Sequence, residues 1–245
     1  MNILILDTET TDLERARLVQ LAYKNLTTGT LVNEYFKPPV PISFGSMAVH
    51  HITNDMVREK PAFQESAHFG QLDNFLKDGV VVAHNAPFDV GVLANEGLQV
   101  PRHIDTLRVA RHVLSSPQYS LQYLRYSLGL RVGEVVAHDA LGDITVLEAL
   151  FAHLKKSVAE KFGVADDAEN IKKMIALTQT PVLLTTLAFG KYRGKTYEEV
   201  ARTDRGYLEW LFNSESQKKV EEQNEDLVHV LKHWLHGPQI EELPF

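Results

Sequence analysis

The chain has 245 residues, a net charge of −7 and no cysteine, which excludes disulfides, zinc-thiolate sites and a thiol nucleophile. The negative net charge argues against a protein that binds nucleic acid over its whole surface, because phosphate binding needs clustered Lys and Arg. No basic leader follows Met1 and no apolar stretch approaches about eighteen residues, so we expect a soluble, cytoplasmic protein without membrane spans.

The first element is an apolar strand, predicted over about residues 2–6, that runs directly into Asp7 and Glu9. Side chains two residues apart in a strand share a face, so these carboxylates project together and repel each other. A divalent cation with oxygen ligands would relieve the repulsion, and the lack of cysteine favours Mg²⁺ or Mn²⁺ over Zn²⁺. The alternative is a solvated strand-to-loop corner in which Thr10 and Thr11 form a turn.

The next segments predict a mixed sheet covered by helices. Strands are expected over about residues 18–25 and 30–37, joined by a turn at 27–29 into an antiparallel meander. Further strands over 80–83 and 103–105 alternate with helical segments, which is typical of an α/β sheet with helices on its faces.

A third acid follows the strand over 80–83. Residues 84–89 read His-Asn-Ala-Pro-Phe-Asp, in which Pro87 is well placed to open a helix. Asp89 then falls in the first turn of that helix.

A fourth acid, Asp143, precedes an apolar stripe at helical spacing and is therefore predicted to lie on a helix. His138 comes five residues earlier, which on one helix would turn it roughly 140° away from Asp143. We therefore place His138 in the preceding loop, where it suits a general base acting on water near neutral pH. The alternative is an ordinary exposed loop histidine.

Three segments resemble, in order and spacing, the exonuclease motifs of the DnaQ-like family: Asp-Thr-Glu at 7–9, the motif at 84–89, and His-x₄-Asp at 138–143. They are similar to the DEDDh subclass of that family. The resemblance implies a ribonuclease H-like fold, two divalent metal ions and stepwise 3′→5′ release of nucleoside 5′-monophosphates. The implied catalytic residues are Asp7, Glu9, Asp89, Asp143 and His138.

Two metal ions about 3.5–4 Å apart would activate water and hold the charge that develops during phosphodiester hydrolysis. In this hypothesis Asp7 bridges the ions, and Glu9 and Asp143 complete the water-side site. Asp89, the remaining acid predicted to hold the two ions, acts largely from the second sphere or at the leaving-group side. His138 deprotonates the attacking water.

The resemblance also implies contacts with the terminal nucleotide. The segment Val-His-His-Ile at 49–52 is similar to the family's Val-His-x-Ile, which makes His50 a substrate-binding candidate. Thr10, Leu13 and Phe88 are implied to line the same pocket, although the two apolar residues have core packing as their alternative.

The sequence departs from the family pattern at two positions. Asp12 stands where the family often has Gly, and Gln20 stands where the second strand often has Glu. Neither is a catalytic position, so the departures leave substrate preference open.

The end of the chain predicts a separate module. We expect an exonuclease domain over 1–158, a connector with one helix over 159–180 and a small α+β module over 181–245. Residues 189–195 read Phe-Gly-Lys-Tyr-Arg-Gly-Lys and 207–211 read Tyr-Leu-Glu-Trp-Leu, which resembles the C-terminal module of exodeoxyribonuclease X-like proteins.

The basic segment of this module is a candidate nucleic-acid contact. Lys191, Arg193 and Lys195 would meet phosphates while Tyr192 stacks on a base. The alternative is a glycine-closed hairpin with solvated cations.

These patterns predict a free-standing 3′→5′ exonuclease that acts on DNA, with a preference for single-stranded or frayed ends. RNA stays open, because contacts with the sugar 2′ position cannot be located in the sequence. The alternatives are a polymerase proofreading subunit, an RNA-trimming enzyme, or a nucleic-acid-binding subunit without turnover. A haloacid-dehalogenase-type phosphatase would use Asp7 as a nucleophile, but its motif usually has Asp at the position of Glu9.

Overall fold

The computed structural model describes residues 1–133, 139–219 and 223–237. Contacts divide the chain into two compact units, Met1–Thr178 and Gln179–Phe245. Among the described residues, no helix combines the length and apolar character that crossing a bilayer requires.

The first unit is built on a five-stranded mixed sheet with the order β3-β2-β1-β4-β5. β1 pairs antiparallel with β2, and β2 pairs antiparallel with β3, whereas β4 runs parallel to β1 and β5 parallel to β4. The strands are β1 (Ile3–Thr10), β2 (Leu18–Asn25), β3 (Leu31–Tyr35), β4 (Val80–Ala83) and β5 (His103–Asp105). The predicted mixed sheet is therefore confirmed.

The first strand is longer than the sequence predicts. β1 continues past Leu6 to Thr10 because Asp7, Thr8 and Glu9 keep their antiparallel partners in β2. Asp7 and Glu9 therefore lie within a paired strand, and the backbone hydrogen bonds of that strand fix the positions from which their carboxylates project.

Helices cover the sheet in the described part of the first unit. They are α1 (Phe44–His50), α2 (Asn54–Val57), a 3₁₀ turn (Phe63–Glu65), α3 (Ala67–Leu76), α4 (Ala86–Asn95), α5 (Thr106–Val113), α6 (Leu121–Ser127), α7 (Ala140–Phe162) and α8 (Asp167–Gln179).

Two apolar cores lie on opposite sides of the sheet, as the alternation of side chains along a strand requires. Ile5 packs in one core with Ile144 and Leu147 of α7, whereas Leu4 and Leu6 pack in the other core. Asp7 and Glu9 share the parity of Ile5, so they are directed to the same side of the sheet as α7.

Helix α8 belongs to the first unit. Its side chains Ile171, Met174 and Leu177 are buried in the core that contains Ile5. Most of the segment 159–180 thus packs on the first unit, because its apolar residues recur at helical spacing. The functional domain boundary at residue 158 stays a prediction.

The second unit contains α9 (Tyr197–Thr203), α10 (Arg205–Ser216) and α11 (Glu225–His236), which pack around their own core. Thr186 and Thr196 form an antiparallel bridge, and the Leu187 amide donates to the Lys195 carbonyl at 2.8 Å. In the part of this unit that is described, this bridge is the β component of the predicted α+β module.

Candidate active site

Three carboxylates converge where β1 meets the first turn of α7. Asp7 and Glu9 come from β1, and Asp143 comes from α7. One carboxylate oxygen from each residue lies within 4.8 Å of the other two. Asp143 lies more than 130 residues after Asp7 and Glu9 in the sequence. The packing of α7 over the face of the sheet that carries Ile5 brings it next to them.

A fully buried amide fixes the start of α7 against the sheet. Gln20 lies opposite Glu9 in β2, and its Nε2 donates to Asp139 Oδ1 at 2.9 Å and to Asn33 Oδ1 at 2.9 Å. Asp139 is the N-cap residue of α7, and its Oδ2 accepts from the Gly142 amide at 3.3 Å. Gln20 therefore links the sheet to the helix that carries Asp143.

Asp143 has a further partner on α6. Gln122 Nε2 donates to Asp143 Oδ1 at 2.7 Å, which orients the carboxylate while leaving its charge in place. Sequence reasoning missed the roles of Gln122 and Asp139. Their partners lie 21 and 119 residues away, and no local pattern encodes such pairings.

Asp89 lies beside the three-carboxylate group but outside it. Pro87 is in the first turn of α4 and Asp89 follows in the same turn, as predicted. The N-cap residue Asn85 has a left-handed backbone with φ of 67°, which turns the chain sharply from β4 into the helix. Asp89 Oδ1 accepts a hydrogen bond from Thr8 Oγ1 at 2.8 Å, so its charge is partly stabilised.

Burial and mutual repulsion raise the pKa values of these acids. The pKa of Asp7 is raised well above its ordinary value, first by burial and then by the charges of Asp89, Glu9 and Asp143. Burial, followed by the charges of Asp143 and Asp89, raises the pKa of Glu9 from 4.5 to about 8. Burial raises the pKa of Asp89 to about 7, against the opposing hydrogen bond from Thr8.

Such a group is stabilised at neutral pH by protons or by a cation. The described residues of this group offer only carboxylate oxygens, and neither sulfur nor imidazole nitrogen. Oxygen ligands of this kind are the ones that Mg²⁺ and Mn²⁺ prefer. The donor set is therefore suited to the predicted ions. The predicted base, His138, lies outside the described residues.

The predicted substrate residue His50 is buried and bonded through both ring nitrogens. Its Nδ1 accepts from the Ile52 amide at 3.0 Å, so Nε2 carries the proton and donates to the Thr10 carbonyl at 3.1 Å. Burial lowers the pKa of His50. His50 thereby fixes the backbone of Thr10 at the end of β1.

The other predicted pocket residues differ in exposure. Thr10 is buried, and its hydroxyl donates to the Asp12 carbonyl at 2.9 Å. Phe88 is partly buried against the core that contains Leu4 and Leu6. Leu13 is 81% exposed and is thus not a core residue. Phe44, which sequence reasoning missed, is 89% exposed.

The candidate residues of the second unit are not equivalent. Lys191 Nζ lies 3.1 Å from Asp204 Oδ2, and the Tyr192 hydroxyl donates to the same oxygen at 2.7 Å. Arg193 and Lys195 are exposed, and neither forms an ion pair with another described residue. The basic segment therefore contains two exposed cations, of which Lys195 also interacts electrostatically with Glu199.

Comparison with known proteins extends over both units. The family model described as "Exonuclease" matches residues 4–151, and the model described as "Exodeoxyribonuclease X-like C-terminal" matches residues 187–216. The chain is 32% identical over 238 residues to Exodeoxyribonuclease 10 of Escherichia coli K12, covering 94% of this chain and 97% of that protein. It is 30% identical over 204 residues to DNA polymerase III subunit epsilon of Pasteurella multocida, covering 72% and 79%.

Two solved structures show the same fold. Exonuclease X in complex with 5′ overhanging duplex DNA superimposes with a TM-score of 0.56 at 28% identity, covering 72% of this chain and 99% of that one. Escherichia coli Exonuclease I with a dT13 oligonucleotide gives 0.54 at 19% identity, covering 66% and 42%, and shows the fold alone. The predicted ribonuclease H-like fold is thus confirmed, and the chain belongs to the exonuclease family with an exodeoxyribonuclease X-like C-terminal region.

Proposed function

We propose that this protein is a metal-dependent 3′→5′ exonuclease that removes nucleoside 5′-monophosphates from DNA, with single-stranded ends preferred. The observation that carries the proposal is the partly buried group of Asp7, Glu9 and Asp143, in which Gln20 links the start of α7 to the sheet and Gln122 links Asp143 to α6. Similarity to Exodeoxyribonuclease 10 along 94% of the chain supports DNA as the substrate.

In this mechanism Asp7, Glu9 and Asp143 would hold the divalent ions, and Asp89, oriented by its hydrogen bond from Thr8, would assist from the second sphere or the leaving-group side. Bound ions would supply an activated water and compensate charge on the phosphate oxygens. His138 would take the proton from the attacking water, since an imidazole titrates near neutral pH. The chain's own contribution is a partly buried, acidic site whose helix and carboxylates are oriented by hydrogen bonds from Gln20 and Gln122.

The exposed apolar side chains near this site support binding of a strand end. Leu13 follows β1, and Phe44 follows Ser43, whose amide donates to the Thr11 carbonyl at 2.9 Å. Their exposure suits contact with an unpaired terminal base, because apolar surface gains free energy when a base covers it. A terminal base can be covered by these side chains only when it is unpaired. The proposed contacts therefore favour a strand whose 3′ end is single-stranded or frayed.

A proofreading subunit is the main alternative with the same chemistry. The match to DNA polymerase III subunit epsilon covers 72% of this chain, whereas the match to Exodeoxyribonuclease 10 covers 94%. The additional coverage, together with the C-terminal family match, favours a free-standing enzyme.

The test is a time course with Mg²⁺ on 5′-labelled single-stranded DNA and RNA of equal sequence. We expect a ladder that shortens by one nucleotide at a time on DNA, and no shortening in EDTA or with Asp7→Asn. Faster shortening of RNA would make the protein an RNA-trimming enzyme. Binding without shortening of either strand would contradict the proposed function.

We expect Mg²⁺ to raise the unfolding temperature more at about pH 8 than at about pH 5. The pKa of Glu9 is about 8 in the folded, metal-free protein against an ordinary 4.5, and that of Asp89 is about 7 against 3.8. At pH values between the ordinary and the raised pKa of each acid, the folded state holds protons that the unfolded state has released. The stability of the metal-free protein therefore falls as the pH rises through this window. Bound Mg²⁺ replaces the protons and stabilises the folded state by mass action.

Thermal unfolding in EDTA and in MgCl₂ across this pH range measures the effect. The matched control is Glu14→Gln, which removes an exposed acid beside β1 and should behave as the wild type. Asp7→Asn should show a smaller magnesium effect at every pH. A magnesium effect that is independent of pH would contradict the prediction.

A further inference from the structure

An exposed tryptophan borders a surface groove on the second unit. Trp210 on α10 is 60% exposed, which is unusual because tryptophan is highly buried on average. The groove has a volume of about 430 Å³ and is lined by Gly206, Glu209, Trp210, Asn213, Ser214 and Gln217. These positions follow helical spacing along one face of α10, opposite the face that buries Leu208 and Leu211.

The ring of Trp210 packs against one tyrosine, which in turn packs against a second. Its centroid lies 5.7 Å from that of Tyr207 with the planes inclined by 34°. Tyr207 in turn packs edge-on against Tyr192 with a centroid distance of 5.0 Å. Both tyrosines pack on the core of the second unit, so Trp210 lies at the exposed end of a row of rings that is fixed to that core.

The row of rings ends at the basic segment. Tyr192 is followed directly by Arg193, and Lys195 lies two residues further along the same turn. Gly190 permits this arrangement, because its φ is 73° and a Cβ there would lie 2.2 Å from the Tyr207 hydroxyl. The turn and the aromatic row are thus packed as one surface.

The acidic side chains near this surface are already paired. Asp204 binds Lys191 and Tyr192, and Glu209 lies 3.2 Å from the Arg205 guanidinium. Arg193 and Lys195 are the cations of this surface that form no ion pair within the described residues. Counting Glu199, which interacts with Lys195, the four cations Lys191, Arg193, Lys195 and Arg205 face three acids, so the local excess is positive although the whole chain carries −7.

We propose that this surface is a second binding site for single-stranded nucleic acid, in which a base stacks on Trp210 and phosphates contact Arg193 and Lys195. A flat aromatic face flanked by cations is the combination that binds single strands without strong sequence preference. This revises the sequence prediction for Tyr192, whose ring is packed and whose hydroxyl is bonded to Asp204.

The inference rests on the proposed function, because the ligand is the strand that the exonuclease unit shortens. Holding the strand on a tethered unit raises the local concentration of its 3′ end. Loss of Trp210 should therefore raise KM for long strands, leave kcat unchanged, and have no effect on substrates of about three nucleotides.

Binding can be measured on the full chain in EDTA, where hydrolysis is prevented. The chain has two tryptophans, so Trp234→Phe leaves Trp210 as the sole tryptophan, whose emission can be excited selectively over that of the tyrosines. We expect dT and rU oligonucleotides of about twenty nucleotides to quench its emission. Trp210→Ala should lower affinity for both about 5- to 150-fold, the range found when a stacking aromatic residue is removed.

Two sets of variants separate stacking from general apolar or charge effects. Trp210→Phe keeps an aromatic face and should retain most of the affinity, whereas Trp210→Leu should bind as weakly as Trp210→Ala. Replacing Arg193 and Lys195 together by Ala should reduce the slope of log K against log salt by about 1.4. Replacing the exposed Lys156 and Lys172 of the first unit is the matched charge control and should leave the slope unchanged.

Unchanged oligonucleotide affinity in Trp210→Ala would overturn the inference. The absence of quenching in Trp234→Phe would overturn it as well. In either case a peptide would be the alternative occupant of the groove. The two proposals fail separately. Strand shortening with normal binding by Trp210→Ala contradicts only this inference. Oligonucleotide binding that depends on Trp210, without any shortening, contradicts only the proposed function.

Discussion

Asp143→Asn is expected to reduce exonuclease activity at least about 100-fold, the loss typical when one electrostatic stabiliser of a transition state is removed. The substitution keeps the shape of the side chain and an oxygen that can accept the bond from Gln122. It removes a charge that, with burial, raises the pKa values of Asp7 and Glu9. The variant should therefore fold and bind the divalent ion weakly.

Steady-state shortening of a labelled single strand at saturating Mg²⁺ measures the loss, and circular dichroism checks the fold. Because one repulsive charge is removed, the unfolding temperature in EDTA should equal or exceed that of the wild type. Glu14→Gln is the matched control, since it also removes one acid but outside the group. A fully active Asp143→Asn protein would refute the assignment of this site.

His138→Ala is expected to lower kcat about 100- to 10,000-fold, the contribution of a positioned general base. Asp139, the next residue along the chain, is fixed by its bonds to Gln20 and Gly142. Because His138 holds no ion in this mechanism, the stabilisation by Mg²⁺ and the affinity for single strands should both be retained.

The pH profile distinguishes a base from a structural residue. The kcat of the wild type should rise as the imidazole loses its proton, whereas His138→Ala should lack this step and regain activity with added imidazole. His153→Ala on α7 is the control and should leave the profile unchanged. Loss of magnesium stabilisation in His138→Ala would show that His138 acts on the metal site and would contradict its role as a base.

Local patterns in the sequence were enough to predict most elements. Alternating and apolar runs predicted the strands that the structure contains, and Pro87 with Asp89 predicted the first turn of α4. The apolar stripe after Asp143 predicted α7. These predictions succeed because helix and strand periodicities and the φ of proline act within a few residues.

The sequence also identified the acids that the structure brings together. Asp7 and Glu9 are two residues apart on one strand, and Asp143 ends a His-x₄-Asp motif that resembles the family's third exonuclease motif. The sequence alone therefore predicts that the three acids lie close together. The packing of α7 on the face of the sheet that carries Ile5 decided that their oxygens lie within 4.8 Å of one another.

Other features were decided by tertiary structure alone. Pairing with β2 extended β1 through the carboxylates, and core packing drew α8 into the first unit. The Tyr192 hydroxyl donates to Asp204 across the second unit, and the packing of α10 leaves Trp210 exposed. The physical reason is common to all of these. Hydrogen bonds and apolar contacts between distant segments depend on which surfaces meet, and this information is absent from any short window of sequence.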